Sequence, residues 1–305
     1  MERRVILILG PTCSGKTKVG IELAEKLRTE IISADSRQIY KYLDIGTAKP
    51  PIEELAKVKH HFVDTLELNG TYNVSKFEHD ALQVIADIHA KNKVPIVVGG
   101  SGLYIKALVD GIFDTVDVDE EYREELHSLR KKYGNEYLYN KLNKVDSEIA
   151  RNMLPQNWKR VMRALEVYHI SGEPISELQK KHKRELNVSF LQFGLLWERK
   201  VLYKNIDARV DQMIRSGLLG ELENILQRGN ARNLNALNTV GYKELISYFD
   251  REITLEKAIE LIKRNTRRYA KRQLTWFRKD KRIKWFEVEN YNDLGKIVEN
   301  VIGIL

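Results

Sequence analysis

The chain alternates short, wholly apolar runs with longer amphipathic stretches. VILIL (Val5 to Leu9) is an unbroken apolar run of strand length, and Thr17–Leu27 after it reads as a helix. EIISA (Glu30 to Ala34) predicts a second strand that ends at Asp35, and HHFVDTLEL (His60 to Leu68) holds a further short apolar stretch. Between Val74 and Lys91, Phe77, Ala81, Leu82, Ile85 and Ile88 recur at helical spacing. VPIVVGGSG (Val94 to Gly102) predicts a buried strand breaking into a glycine turn, with a helix from Leu103. Strands separated by helices predict a parallel sheet covered on both faces, and such sheets collect ligands at the carboxyl ends of their strands. Gly10–Thr17, Asp35 and Gly99–Gly102 all fall at such ends.

From about Thr115 the texture becomes charged and helical, through WKRVMRALEVYHISG (Trp158 to Gly172) and KKHKREL (Lys180 to Leu186). LQFGLLWERK (Leu191 to Lys200) then restores a short apolar strand. The expected organisation is a sheet core made of 1–114 and 189–305, its C-terminal part helical and basic, interrupted by a helical insertion over 115–188. At 305 residues and 43% hydrophobic, the chain can bury the core of one large or two modest domains. No apolar run is long enough for a membrane span, and no secretory pattern precedes the first strand. The single cysteine, Cys13, has no internal disulfide partner, which fits a reducing, cytoplasmic setting. His60 and His61 have no further ligand at metal spacing and read as structural.

The net charge of +8 is unevenly placed. Lys263 to Lys284 contains eleven Lys/Arg and one Asp, a net of +10, which leaves the rest of the chain near neutrality. Such a run suits an anionic polymer, because each phosphate contact releases counterions. Tyr269, Trp276, Phe277, Trp285 and Phe286 lie in or beside it. They read either as a stacking platform for bases or as the apolar side of a helix, on which Ile259, Ile262, Thr266, Tyr269, Gln273 and Trp276 recur at spacings of three and four.

GPTCSGKT (Gly10, Pro11, Thr12, Cys13, Ser14, Gly15, Lys16, Thr17) fits the phosphate-cradling pattern G-x-x-x-x-G-K-[ST], with strand and helix flanking it as that mechanism demands. The pattern makes the fold class α/β, a P-loop NTPase-like parallel sheet core with a helical insertion and a helical C-terminal portion, and leaves nucleotide (ATP) binding open. Loop amides and the helix N-terminus bind oxyanions, Lys16 adds a cation, and Thr17 offers a hydroxyl to Mg²⁺. An enzyme that hydrolyses ATP also needs an acid at the end of a neighbouring strand, whereas VPIVVGGSG ends in glycines and a serine. A carboxylate such as Asp35 near bound phosphates is useful if it holds a metal or takes a proton from a nucleophile. Ser36, Arg37 and Gln38 follow it, with side chains suited to a base edge.

GPTCSGKT, SADSRQIYKYLDIGTAKP, HHFVD, VPIVVGGSGLYIKAL, RALEVYHISG and VGYKEL, in this order, resemble the bacterial tRNA dimethylallyltransferases (the IPP transferase family) across nearly the whole chain. The resemblance implies transfer of a dimethylallyl group from dimethylallyl diphosphate to N6 of the adenine 3′-adjacent to a tRNA anticodon, with the loop holding the diphosphate and Mg²⁺ as cofactor. It implies Asp35 as catalytic base, Lys16, Thr17 and Arg209 at the leaving group, and Asp35, Ser36, Arg37, Gln38, Ser101 and Arg123 at the tRNA. Gln156, Asn157, Trp158, Lys159 and Arg160 match a further stretch that meets the anticodon stem-loop, which puts the insertion on the anticodon arm. Nothing suggests more than a monomer. An adenylate isopentenyltransferase or a small-molecule P-loop kinase would share the loop but not need the basic run or the insertion. A nucleotide-gated RNA-binding module would give Asp35 and Arg209 no reason to meet at the phosphates.

Overall fold

The computed structural model describes residues 3–112, 119–181, 184 and 186–305. They divide into two units, Met1–Val109 with Leu186–Leu305, and Asp110–Glu185. The boundary expected between 114 and 115 lies outside the described residues.

In the first unit, strand β1 (Arg4–Leu9) leads through the glycine loop into helix α1 (Lys16–Lys26). Then come β2 (Ile31–Ala34), α2 (Ile52–Lys57), β3 (His60–His61), α3 (Val74–Ala90), β4 (Ile96–Gly99) and α4 (Gly102–Asp110). In the second unit, α5 (Glu120–Val145), broken at Gly134 (φ 84°, ψ 177°), packs with α6 (Ser147–Arg151), α7 (Trp158–Ser171) and α8 (Ile175–Lys181). The chain returns to the first unit as β5 (Ser189–Trp197), α9 (Arg199–Arg215), α10 (Leu218–Gln227), α11 (Tyr242–Phe249), α12 (Leu255–Phe277), β6 (Lys284–Val288) and α13 (Asp293–Ile302).

The six strands form one parallel sheet in the order β3-β2-β4-β1-β5-β6. The period-2 geometry of β1 divides the core. Ile6 and Ile8 point to a cluster that holds Val19, Leu202, Ile206, Ala270 and Leu294, while Val5, Leu7 and Leu9 point to one that holds Phe77, Ile85, Tyr104 and Leu108. A third cluster, around Tyr40, Leu222, Tyr242, Leu245 and Ile262, binds α9 to α12 to the segment that follows β2. The second unit has its own core of Leu126, Leu138, Leu142, Val161, Met162 and Leu165. There the buried Asp146 caps α6 at the Ile149 amide (3.0 Å) and takes both the amide (2.9 Å) and the hydroxyl (2.8 Å) of Ser176.

The basic run differs from the sequence reading in two respects. It is not helical throughout, because KWFEV forms β6 on the sheet edge. Trp285 covers Gly194 there, where a Cβ would come within 2.6 Å of its ring, and Phe286 stacks on Phe193 at 5.9 Å. These two rings therefore cover the sheet edge. Two of the cations are also spent inside the fold: Lys263 pairs with Asp211 at 2.6 Å, and Arg267 pairs with Asp207. No helix among the described residues is long and apolar enough to cross a membrane.

Candidate active site

The loop after β1 enters α1 through Gly15 at φ 86°, and no side chain caps the helix. The first amides of α1 are thus left for a ligand, in the manner of helix N-termini that bind anions. Close packing shapes the loop. A Cβ at Gly10 would lie 2.7 Å from Ser14 Oγ, and one at Gly15 would lie 2.6 Å from Leu294. Cys13 is buried at φ 63°, and Arg209 Nη1 lies 3.7 Å from its sulfur. Lys16 reaches back to the Pro11 carbonyl at 3.3 Å. Burial lowers the Lys16 pKa and Arg209 pushes the same way, while Asp35 opposes both. Lys16 therefore lies within reach of the charges of both Asp35 and Arg209.

Asp35 stands one residue beyond β2, where its Oδ1 accepts the amides of Arg37 (2.8 Å) and Gln38 (3.3 Å). That local turn, typical of aspartate at a strand end, holds the carboxylate through Oδ1 alone. Ser101, in the turn after β4, accepts the Ser36 amide at 3.1 Å. The Arg37 guanidinium donates to the Asn235 carbonyl at 2.7 Å. The Gln38 amide group is engaged within the chain: Nε2 donates to the carbonyls of Thr47 (3.2 Å) and Ala48 (3.1 Å), and Oε1 accepts from Ser33 (3.4 Å).

These parts open on one cavity of about 360 Å³. Thr12, Cys13, Lys16 and Thr17 line it on the loop side; Asp35, Ser36, Arg37 and Gln38 line it from β2, and Arg209 from α9. Ile206, Val210, Met213, Val240 and Ile262 give it an apolar wall. Among the described residues no group of three or more His, Cys, Asp or Glu could hold a metal by itself. Thr17 in the cavity wall suits a cation that arrives with an anionic ligand, since Mg²⁺ keeps waters and takes few protein ligands beside phosphates. His60 Nδ1 lies 2.7 Å from the Val58 carbonyl, with His60 also in the cavity lining, and His61 Nε2 lies 2.8 Å from Glu30.

Gln273, on α12, is the contributor the sequence reading did not single out as a site residue. It is buried, its Oε1 accepts the Thr12 amide (2.9 Å), and its Nε2 donates to the Gly100 carbonyl (2.9 Å). It ties the loop to the end of β4, and a Cβ at Gly100 would lie 2.2 Å from that nitrogen. The available signal was an amide at a core position of an amphipathic helix, where a polar group persists only if it is satisfied. Tyr269, beside it, lines the cavity, and burial together with Asp35 raises its pKa, so its phenol stays protonated.

The remaining expected residues lie in the second unit. Gln156, Asn157, Lys159 and Arg160 are exposed around the first turn of α7. The Trp158 ring there has Arg130 over its face at 3.8 Å and Lys159 at 5.4 Å. Arg123 makes a two-point pair with the buried Glu166, at 2.6 and 3.0 Å, and so ties α5 to α7.

A protein-family model described as IPP transferase matches residues 38–280. The tRNA dimethylallyltransferase of Geobacillus thermodenitrificans is 46% identical over 302 residues, covering 99% of this chain and 96% of its own length. That of Thermoanaerobacter sp. (strain X514) is 42% identical over 309 residues, at 100% and 98% coverage. Among solved structures, the tRNA isopentenylpyrophosphate transferase of Bacillus halodurans is 39% identical, with a TM-score of 0.72 and coverage of 99% and 96%. A eukaryotic dimethylallyltransferase described as acting on tRNA is 28% identical, with a TM-score of 0.84 and coverage of 98% and 77%.

Proposed function

The chain belongs to the IPP transferase family, and from that premise we propose that it transfers the dimethylallyl group of dimethylallyl diphosphate to N6 of the adenine 3′-adjacent to a tRNA anticodon, releasing diphosphate. The observation that carries the proposal is the single cavity in which an anion cradle, an aimed carboxylate and an apolar wall meet. Phosphoryl transfer needs the first of these, whereas an apolar wall suits a hydrocarbon group carried on the diphosphate.

The chemistry follows from the parts. The allylic C–O bond breaks and its electron pair leaves on the diphosphate, where loop amides, Lys16 and Arg209 meet the growing charge. Such preorganised donors act most strongly where water is excluded. The adenine nitrogen supplies the pair for the new C–N bond, and its proton passes to Asp35. An adenine in a duplex or stacked loop cannot reach this depth, so the base enters flipped out. We assign the divalent cation as Mg²⁺, held by the Thr17 hydroxyl and the diphosphate oxygens, where it would neutralise charge on the leaving group.

Ser36 and Arg37 line the cavity on the side where we expect the nucleotide to enter, and Ser101, outside the lining, holds the Ser36 amide. We assign the anticodon arm to the second unit through Gln156–Arg160, a reading supported by the exposed cations and amides at the start of α7, with Arg123 acting there by holding α5 to α7 through Glu166. We keep the reading of a monomer, and a tRNA substrate fits the cytoplasm. Incubation with labelled dimethylallyl diphosphate and either unmodified tRNA or AMP tests the proposal. Label in one adenine of the tRNA, without ATP consumption, is the expected result. Label in AMP, or phosphoryl transfer from ATP, would overturn it.

A further inference from the structure

The DIGTAKP segment (Asp44 to Pro50) follows the proposed base by nine residues and lines the reactant cavity through Gly46, Thr47, Ala48 and Pro50. Three successive amides of this segment converge on one carboxylate. Glu221, on α10, accepts Asp44 N–H (2.9 Å) and Ile45 N–H (2.7 Å) on Oε2, and Gly46 N–H (3.2 Å) on Oε1. Its Oε1 also accepts the Tyr242 hydroxyl at 2.6 Å. Consecutive amides turned one way form an anion-binding concavity. Here the anion is resident.

The fit is close on both sides. A Cβ at Gly46 would lie 2.5 Å from the Tyr242 ring, so only glycine lets the segment settle there. Lys49, its side chain 5% exposed, pairs with Asp44 (2.6 Å) and Asp64 (2.7 Å). Ala48 is held at φ 51°, a strained conformation for a residue with a Cβ, and its carbonyl is one of the two that hold the Gln38 amide. Gln38 in turn gives its own backbone amide to Asp35 Oδ1. The chain of contacts thus runs from Glu221 through the segment and Gln38 to the carboxylate of Asp35.

We propose that Glu221 is a positioning residue: by latching the 44–50 segment it fixes Gln38, and through it the aim of Asp35 at the incoming adenine. Gln38 then acts by holding the turn at Asp35, since its side-chain amide is already engaged by Ser33, Thr47 and Ala48. The latch does not touch the glycine loop. Its loss is therefore felt in the transfer step and not in diphosphate affinity. The inference rests on the transferase reading above, but the latch itself is measurable without it.

The test compares the parent with Glu221→Gln and Tyr242→Phe. Glu221→Gln keeps the shape but withdraws the charge and turns an amide donor toward backbone donors; Tyr242→Phe removes one donor only. Hydrogen exchange of the Asp44, Ile45 and Gly46 amides reads the latch directly, and Glu221→Gln should accelerate it by about tenfold or more. Single-turnover transfer to tRNA should fall roughly 10- to 100-fold in Glu221→Gln and only about threefold in Tyr242→Phe, with diphosphate affinity kept within about twofold in both. Unchanged exchange in Glu221→Gln overturns the latch. Accelerated exchange with an unchanged transfer rate, or a loss of diphosphate affinity as large as the loss of rate, overturns the positioning role. A parent that transfers nothing to tRNA refutes the transferase reading and with it the positioning role, while the exchange comparison still decides the latch.

Discussion

Replacing Gln273 by leucine removes two hydrogen bonds while nearly keeping the side-chain volume. The residue is 6% exposed, so the Thr12 amide and the Gly100 carbonyl would both be left without a partner in a largely dry place. A buried group stranded in this way costs about 1–3 kcal/mol, which puts the pair at roughly 2–6 kcal/mol. For a unit of 150–250 residues each kcal/mol lowers Tm by about 2–4 °C, so even the low end is a fall of about 4 °C or more. Thr12 lies in the cradle itself, and diphosphate affinity should fall with stability. Gln273→Glu separates the two effects. Its carboxylate still accepts the Thr12 amide, but it cannot donate to Gly100 and it sets a negative charge beside the anion site. It should therefore lose more affinity than stability. Thermal unfolding and calorimetric titration with diphosphate measure both quantities. A leucine variant with parental Tm and parental affinity would show that the bridge from α12 to the loop has been misjudged.

Three further outcomes follow from the same geometry. Burial holds the Lys16 pKa below its usual value, and a bound diphosphate would raise it. Between the lower pKa of the free protein and the higher one of the complex, binding must therefore take up a proton; titration at alkaline pH in buffers of different ionisation enthalpy should show that uptake, and Lys16→Met should abolish it. Asp35→Asn should retain tRNA binding while the single-turnover rate falls about 10²- to 10⁴-fold; a full rescue by excess Mg²⁺ would make Asp35 a metal ligand and not the base. Removing the charges of Arg268, Lys271 and Arg272 should lower the salt dependence of tRNA binding by about 0.7–0.9 for each phosphate that is no longer neutralised, whereas Arg267→Ala, which breaks the pair with Asp207, should instead lower Tm; an unchanged salt slope would return this face to plain solvation.

The legible part of the site was the part written in contiguous residues. The glycine loop, the carboxylate after β2 and the glycine turn after β4 each announce themselves within ten positions, because strand, turn and helix geometry are local. The strands and helices read up to α4 hold for the same reason, while α2, a short helix with no buried residue, was not read. The apolar wall of the cavity was not legible. Ile206, Val210 and Met213 on α9 and Ile262 on α12 follow ordinary helical spacing, and nothing local says that they face a ligand and not a core. β6 was missed because an edge strand that begins with lysine has no apolar run of its own; its pairing with β5 spans the length of α9 to α12. Asp207 and Asp211, two positions to either side of Arg209, both pair with α12, while Arg209 lies against Cys13.

Helix α12 shows why a sum of charges does not say which of them are free of internal partners. Its 23 residues turn three surfaces to three tasks. Ala258, Ile262, Ala270 and Phe277 are buried as any amphipathic helix buries its stripe. Lys263 and Arg267 face α9 and are neutralised by its aspartates. Arg268, Lys271 and Arg272 stand exposed, and Arg272 also lines the cavity where Gln273 holds the loop. An isolated patch for phosphates would not need the amide that follows it in sequence to be buried against the cradle. Because Arg272 and Gln273 are adjacent on one helix, a polyanion drawn to the exposed side would be brought to the mouth of the proposed site, at a register set by the helix and not by a loop. The glycine loop answers to the same helix through Thr12, so α12 joins the cradle proposed for the small anion to the exposed cations proposed for the large one.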